Sequence, residues 1–336
     1  MSNVNGKIEN ENISPERISE LSRAFQGSRV FLTAYELDLF SAVGDDKKTS
    51  QAIAGIIDAD PRGTDRLLNA LCAMGLIIKS GDKYANSAVA GRFLVKGKPE
   101  YQTGIMHTVH LWDSWSTLTN AVRDGGLVIQ RSVEERDDVW FKSFIAAMHS
   151  RAVGEASGLV SKIDLSGVYR VLDVGGGSGA YSIAFVRAKE DVQATVFDLP
   201  NVLPLTEGYI KEAGLENRIN TVSGDYNKDD LGNGYDLVFL SAIIHSNSPQ
   251  QNQSLFHKVS KAMETGGRII VSDFIMNDNR FEPTFGAFFA LNMLVNTQQG
   301  DTYTESEIRE WMTAAKLEFV ERKDFGINGL MIGRKI

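Results

Sequence analysis

The spacing of apolar residues changes once along this 336-residue chain. Up to about Gly158 apolar positions recur at helical intervals, and after Gly167 short apolar runs alternate with helical stretches, as in a doubly wound sheet. Residues 1–12 are polar, rich in Asn, Glu and Lys, and predict a disordered lead-in. Ser14-Pro15-Glu16 then carries a capping serine with proline at the first helical position, and Ile18, Leu21, Phe25 and Val30 follow at helical spacing. Phe31 to Phe40 is apolar on nearly every side, which predicts a continuing buried helix, packed against a second copy of the chain. Helices opening at Thr49-Ser50 and Asp60-Pro61, followed by two strands around Gly81-Asp82, spell a winged helix. The expected organisation is a winged-helix dimerisation domain over 13–100, a helical connector over 101–160 and an α/β domain over 161–336.

Within the α/β stretch, Val171 to Val174 reads as a buried strand, Gly175-Gly176-Gly177-Ser178-Gly179 as a tight turn, and Ala180 onward as a helix. Bare backbone at such a turn lets a nucleotide-like cofactor approach, although a turn with no ligand is the plain structural alternative. Gly175, Gly177 and Ala180 also fit the dinucleotide fingerprint. Asp173 sits just before the turn, where a carboxylate aimed at the loop's mouth repels a pyrophosphate but suits the amino group of a methionine moiety. That favours S-adenosylmethionine over NAD.

A second strand, Ala194 to Phe197, ends in Asp198-Leu199-Pro200, 23 positions beyond Gly175. An acid about 20 residues on holds ribose hydroxyls, which both cofactors possess. The third strand, Ile219 to Ser223, leads into Gly224-Asp225-Tyr226, where a carboxylate accepts from an adenine amino group while the ring packs on the base. Tyr235 to Ile244 is the fourth strand, and His245 follows at the carboxyl edge, the reaction side of an open sheet. The rest reads as a helix from Gln250 to Met263, a turn at Gly266-Gly267, a fifth strand from Arg268 to Asp273, an apolar insert from Phe285 to Val295, a helix capped by Thr304, and late strands over 317–320 and 329–333.

Composition narrows the partners. The single Cys72 excludes an intramolecular disulfide and a cysteine zinc site, and a reducing cytoplasm is the expected home. No apolar signal core or bilayer-length run occurs, so no membrane partner is expected. The net charge of −8 argues against a nucleic-acid binder. In the winged helix Arg62 and Arg66 are offset by Asp60 and Asp65, and Lys79 and Lys83 face Asp82, so dimerisation outweighs DNA recognition. His107 and His110 lie one helical turn apart without a third ligand, and no metal is expected. Aromatics and methionines of the connector, among them Trp112, Trp115, Trp140, Phe141 and His149, are mostly core. Met106, Phe144, Met148, Phe288, Phe289, Met293 and Asn296 are the candidates for an acceptor pocket.

Leu172-Asp173-Val174-Gly175-Gly176-Gly177-Ser178-Gly179, Phe197-Asp198-Leu199-Pro200 and Gly224-Asp225-Tyr226, in that order behind a winged helix, resemble one family. It is the class I S-adenosylmethionine-dependent O-methyltransferases of the two-domain small-molecule kind, the plant caffeate-type enzymes and their bacterial polyketide and carotenoid relatives. The resemblance runs from about Ile13 to the end. It implies a Rossmann-like doubly wound α/β sheet with an N-terminal, mainly helical winged-helix domain, a homodimer, and S-adenosylmethionine as cofactor. By resemblance, Gly175 and Gly177 with Asp173 cradle the methionine end, and Asp198 with Leu199 holds the ribose. Gly224, Asp225 and Tyr226 frame adenine, Ser241 lies near the cofactor, and His245 falls where the family places a general base. Asp273 matches the acidic position ending the fifth strand.

Two departures stand out: Ser246-Asn247-Ser248 where plant members follow the histidine with Asp and Trp, and Thr302, or Asp301 in a shifted register, where they carry Glu. His245 is then oriented by Asp273 alone, or serves only to position the acceptor. The expected activity is methyl transfer to a hydroxyl of an aromatic or polyene small molecule. Carbon methylation or non-methylating chemistry on the same cofactor, and a ligand-sensing winged-helix regulator, stay open as alternatives.

Overall fold

A computed structural model describes residues 13–128 and 138–336, with the side chains of 138–143 outside the description. The lead-in expected over residues 1–12, and the side chains of Trp140 and Phe141, therefore lie outside the described residues. The chain forms two compact units that divide between Val109 and His110.

The N-terminal unit begins with α1 (Pro15–Glu36), where the Ser14 side chain accepts from Arg17 N–H and Pro15 occupies the first turn. The helix expected to run on to Phe40 breaks earlier, because Asp38 adopts a left-handed φ of 54°, and α2 (Leu39–Val43) restarts beyond it. Then follow β1 (Lys48–Thr49), α3 (Ser50–Ile56), α4 (Pro61–Ala73), β2 (Ile77–Ser80), β3 (Lys83–Asn86) and α5 (Ala88–Phe93). Thr49, Asp60 and Ser87 cap α3, α4 and α5 through their side chains. The ribbon has three strands in the order β1-β3-β2, since Lys48–Thr49 pairs with Tyr84 and Lys83. Two of the cations here have partners within the unit: Arg66 pairs with Asp65 at 2.6 Å, and Lys79 donates to Asn69 Oδ1 at 2.8 Å and lies over the Tyr84 ring. α6 (Ile105–Ser116) runs across the division.

The C-terminal unit continues with α7 (Leu118–Asp124), α8 (Asp138–Val160), β4 (Arg170–Val174), α9 (Ala180–Ala188), β5 (Gln193–Asp198), α10 (Leu203–Glu212) and β6 (Ile219–Ser223). After these come β7 (Tyr235–Ser241), α11 (Pro249–Ala262), β8 (Met263–Asp273), α12 (Thr284–Asn296), α13 (Glu305–Ala314), β9 (Leu317–Phe325) and β10 (Asn328–Lys335). They build one seven-stranded sheet, β6-β5-β4-β7-β8-β10-β9, the expected doubly wound sheet. Five strands are parallel, and β10 runs antiparallel to both neighbours. Leu172 and Val174 enter the core on the α11/α13 face, whereas Val171 enters the core on the α8/α9 face. Burial on both faces explains the unbroken apolar run of β7, Leu237 to Leu240.

Two boundaries differ from expectation at the sheet's working edge. β7 stops at Ser241, because Ala242 takes a left-handed φ of 56° and residues 244–246 wind into a short 3-10 turn that carries His245 over the strand tips. The turn expected at Gly266-Gly267 lies inside β8, where Gly266 has φ +81° and the register against β7 shifts. The apolar insert is the helix α12, and its Gly286 permits close approach to Met276, whose sulfur would stand 2.2 Å from a Cβ there. Among the described residues no helix is long and apolar enough to cross a membrane.

Candidate active site

The glycine turn between β4 and α9 sits at the centre of the parallel strand tips, beside β5 and β7. Gly175, Gly177 and Gly179 all have positive φ, the region that disfavours side chains. A Cβ at Gly175 would meet Ile243 Cδ1 at 2.2 Å and Tyr226 at 3.7 Å, whereas one at Gly177 meets nothing within 4 Å. The turn is thus packed tightly on one side and bare on the other, the form a ligand-facing loop takes.

Side chains from three elements hold this turn. Asp198, at the end of β5, accepts Gly177 N–H at 2.7 Å through Oδ2 and Leu199 N–H at 2.7 Å through Oδ1. Burial pushes the Asp198 carboxyl up, and those two N–H groups oppose it. Thr206 on α10 donates to Gly177 O, and Ser178 Oγ lies 2.8 Å from Nδ1 of His149 on α8.

Asp173 occupies a different place from the one its sequence position suggests. It lies beneath the turn and not at its mouth, only 1% exposed, because Gly176 arches over it: a Cβ there would stand 2.7 Å from Asp173 Cγ. Oδ2 accepts from Ser182 Oγ at 2.8 Å, and Oδ1 has no hydrogen-bond partner. Burial pushes its pKa up to about 7, with Ser182 pulling it down and Asp198 adding to the rise. An orphaned buried carboxylate oxygen under a bare loop fits a ligand that brings positive charge or N–H donors, as S-adenosylmethionine does.

Gly224, Asp225 and Tyr226 follow β6. A Cβ on Gly224 would fall 2.3 Å from the Phe197 ring, so only glycine lets the chain turn there. Asp225 is engaged by its own loop, Oδ1 accepting Asn227 N–H at 2.9 Å and Oδ2 pairing with Lys228 at 2.9 Å. The remaining lone pairs of this half-buried carboxylate are open to a further donor. The Tyr226 ring closes over Gly175, and its hydroxyl donates to Asn247 Oδ1 at 3.3 Å. Burial, then the Asp225 and Asp198 carboxylates, push this phenol up to about 12 and keep it a donor. Ser241, half-buried at the tip of β7, interacts with the Tyr181 phenol.

The imidazole of His245 is 11% exposed, and its Nδ1 lies 2.7 Å from Asp273 Oδ1. Asp273 also takes the His245 N–H at 3.4 Å and the Phe274 N–H at 2.8 Å, so one buried carboxylate fixes both the ring and its backbone. From the other side, Asp301 N–H donates to His245 O at 3.0 Å. Gly300 makes that approach possible, since a Cβ there would stand 2.4 Å from the same carbonyl. The side chains at the expected second acid position turn away: Asp301 pairs with Arg280 at 3.6 Å, and Thr302 donates to Gly286 O at 3.3 Å.

Aromatic rings enclose the imidazole. Phe289 stands edge-on to it at 5.0 Å and Phe274 tilts against it at 5.9 Å, while Phe285 packs on Phe274 at 5.0 Å. Phe289 was expected here from sequence. Phe274 was not, although its place one residue past a strand tip is the available signal. Phe288 is 59% exposed and outside this group of rings. Met293 is buried in α12, and Phe144 and Met148 are half-buried one turn apart on α8. Asn296 is held by Asn292, donating to its backbone carbonyl at 3.0 Å, and Asn292 in turn accepts from Trp115 Nε1 at 2.9 Å. Met106 belongs to the N-terminal unit. Sequence reading also missed His149, Ser178 and Thr206 as loop contacts, because they meet across 29 residues of chain with no local pattern to mark them.

Comparison with known proteins gives the family. The O-methyltransferase domain model matches residues 115–317, and the O-methyltransferase dimerisation domain model matches residues 19–96. The chain is 31% identical, over 96% of its length and 95% of the relative's, to 3-hydroxy-5-methyl-1-naphthoate 3-O-methyltransferase of Streptomyces sahachiroi. It is 29% identical to the tetracenomycin polyketide synthesis 8-O-methyl transferase of Streptomyces glaucescens, over 96% of this chain and 97% of that one. The solved structure of PigF with SAH superposes with a TM-score of 0.88 at 25% identity, covering 96% of this chain and all of that one. PigF is an S-adenosyl-L-methionine-dependent methyl transferase of Serratia sp..

Proposed function

The chain belongs to the O-methyltransferase family and is an S-adenosylmethionine-dependent enzyme; on that premise we propose that it methylates a hydroxyl on a flat aromatic small molecule, with His245 as general base. The observation that carries this reading is the 2.7 Å contact between His245 Nδ1 and buried Asp273, set among Phe274, Phe285 and Phe289 at the strand tips. With Asp273 as acceptor, Nδ1 carries the hydrogen and Nε2 keeps its lone pair. That lone pair takes the acceptor's hydroxyl proton, and the carboxylate steadies the imidazolium that results. The three phenylalanine rings offer apolar faces and edges suited to an aromatic acceptor. The naphthoate and tetracenomycin pathway relatives act on such molecules by their names, which supports the same class here.

Bound at the glycine turn, S-adenosylmethionine supplies an electrophilic methyl group on a sulfonium. The bare edge at Gly177, with Asp173 below, would receive its methionine end; Asp198 with Leu199 would hold the ribose, and Gly224, Asp225, Tyr226 and Ser241 would border the rest. What remains for the protein is to align acceptor oxygen and methyl and to accept one proton. Assembly as a homodimer through the N-terminal unit is part of the same reading, supported by the dimerisation-domain match over 19–96.

His245→Gln tests the base. Turnover of a phenolic acceptor should fall by about 10²–10⁴-fold, the usual contribution of a positioned base, with the dissociation constant for S-adenosylhomocysteine unchanged. Unchanged turnover would remove the base role.

A further inference from the structure

Two helices on one face of the glycine turn converge on it through a single imidazole. His149, half-buried on α8, stacks on Tyr209 of α10 with ring centroids 3.7 Å apart and planes 14° from parallel. Its Nδ1 reaches Ser178 Oγ at 2.8 Å, inside the turn, where Ser178 is 6% exposed. One turn before Tyr209, Thr206 of the same helix donates to Gly177 O, and its methyl would lie 3.3 Å from a Cβ on Gly179. The segment Gly177-Ser178-Gly179 is therefore gripped from β5 by Asp198, from α10 by Thr206, and from α8 by His149 braced against α10. Burial lowers the pKa of His149, with Glu212 opposing, so the ring favours its neutral form and can accept the Ser178 hydroxyl. Nothing in the chemistry at His245 uses this second histidine.

We propose that His149 is a positioning residue for the methyl donor: through Ser178 it holds the glycine turn in the shape that receives the donor's methionine end. The proposal rests on reading that turn as the donor site. The imidazole touches no reacting atom, and its effect is on donor affinity. Stacking on Tyr209 fixes the ring plane, and the ring plane fixes where the Ser178 hydroxyl, and with it the Gly177–Gly179 backbone, must lie.

The test is a double-mutant cycle read by calorimetric binding of S-adenosylhomocysteine. His149→Ala and Ser178→Ala should each weaken binding by about fivefold, the loss of one neutral hydrogen bond, and the double variant should be no weaker than either single one. His149→Asn, which keeps an acceptor near the Nδ1 position, should stay within about twofold of the native protein, while His149→Phe, which keeps the stack and loses the bond, should behave like His149→Ala. A merely structural histidine would lower the melting temperature without this non-additivity. Native-like binding by His149→Ala, multiplied losses in the double variant, or recovery by His149→Phe would overturn the proposal. Should His149→Ala fail to fold, Ser178→Ala and the Asn and Phe variants still decide it. Absence of binding by the native protein would instead overturn the donor-site reading beneath it.

Discussion

Asp173 is costly to ionise where it sits. Its Oδ1 is buried without a partner, and burial lifts its pKa from the ordinary 3.8 to about 7. The folded protein therefore holds this proton more firmly than the unfolded chain does. The stability it contributes is complete below the ordinary carboxylate range and is lost as pH rises through about 7. Without donor, the melting temperature of the native protein should thus fall between about pH 4 and about pH 7 more steeply than that of Asp173→Asn, which keeps an acceptor for Ser182 but cannot ionise. Parallel melting profiles for the two proteins would contradict this. His245 is the opposite case: its ring Nδ1, its backbone N–H and its carbonyl are each tied down, the first two by Asp273 and the last by Asp301 N–H.

Among the elements, α1 carries an apolar stripe that its own unit leaves uncovered. Its apolar residues Ile18, Leu21 and Phe25 recur at helical spacing yet are 60, 54 and 56% exposed, while burial begins only near Leu32. Such a stripe on a helix matched by a dimerisation-domain model is suited to a second copy of the chain. Light scattering at micromolar concentration should give a dimer for the native protein and a monomer for the Leu21→Glu, Phe25→Glu variant; a native monomer, or a dimeric variant, would refute it. Much of the element order was readable because several helix starts carry their own signal, as with Ser14, Thr49, Asp60 and Thr304, whose side chains cap their helices. Continuous apolar runs marked the buried parallel strands equally well. Illegible were features that depend on φ alone or on distant pairing: the break at Asp38, the early end of β7 at Ala242, and the pairing of Lys48–Thr49 onto β3. At the site, the glycine turn, Asp198, His245 and Asp273 were visible as motifs. The burial of Asp173 beneath Gly176, the diversion of Asp301 to Arg280, and the reach of His149 to Ser178 were not, since each is decided by side chains brought from elsewhere in the fold.

For the molecule as a whole, the candidate site residues lie at the strand tips of the C-terminal unit, and the N-terminal unit offers the exposed helix and a three-stranded ribbon in which Lys79 is hydrogen-bonded to Asn69. The net charge of −8 and the three carboxylates Asp173, Asp198 and Asp225 near the tips suit a cationic donor and not a polyanion. Everything proposed about turnover depends on where that donor lies. A crystal structure of the full chain with S-adenosylhomocysteine tests this most directly. It should show the ribose hydroxyls on Asp198, adenine beside Asp225 and Tyr226, the methionine end along Gly175 and Gly177, and the sulfur directed toward the space between His245 and Phe289. A ligand bound away from the glycine turn, or one leaving Asp198 untouched and its sulfur turned from His245, would contradict the account.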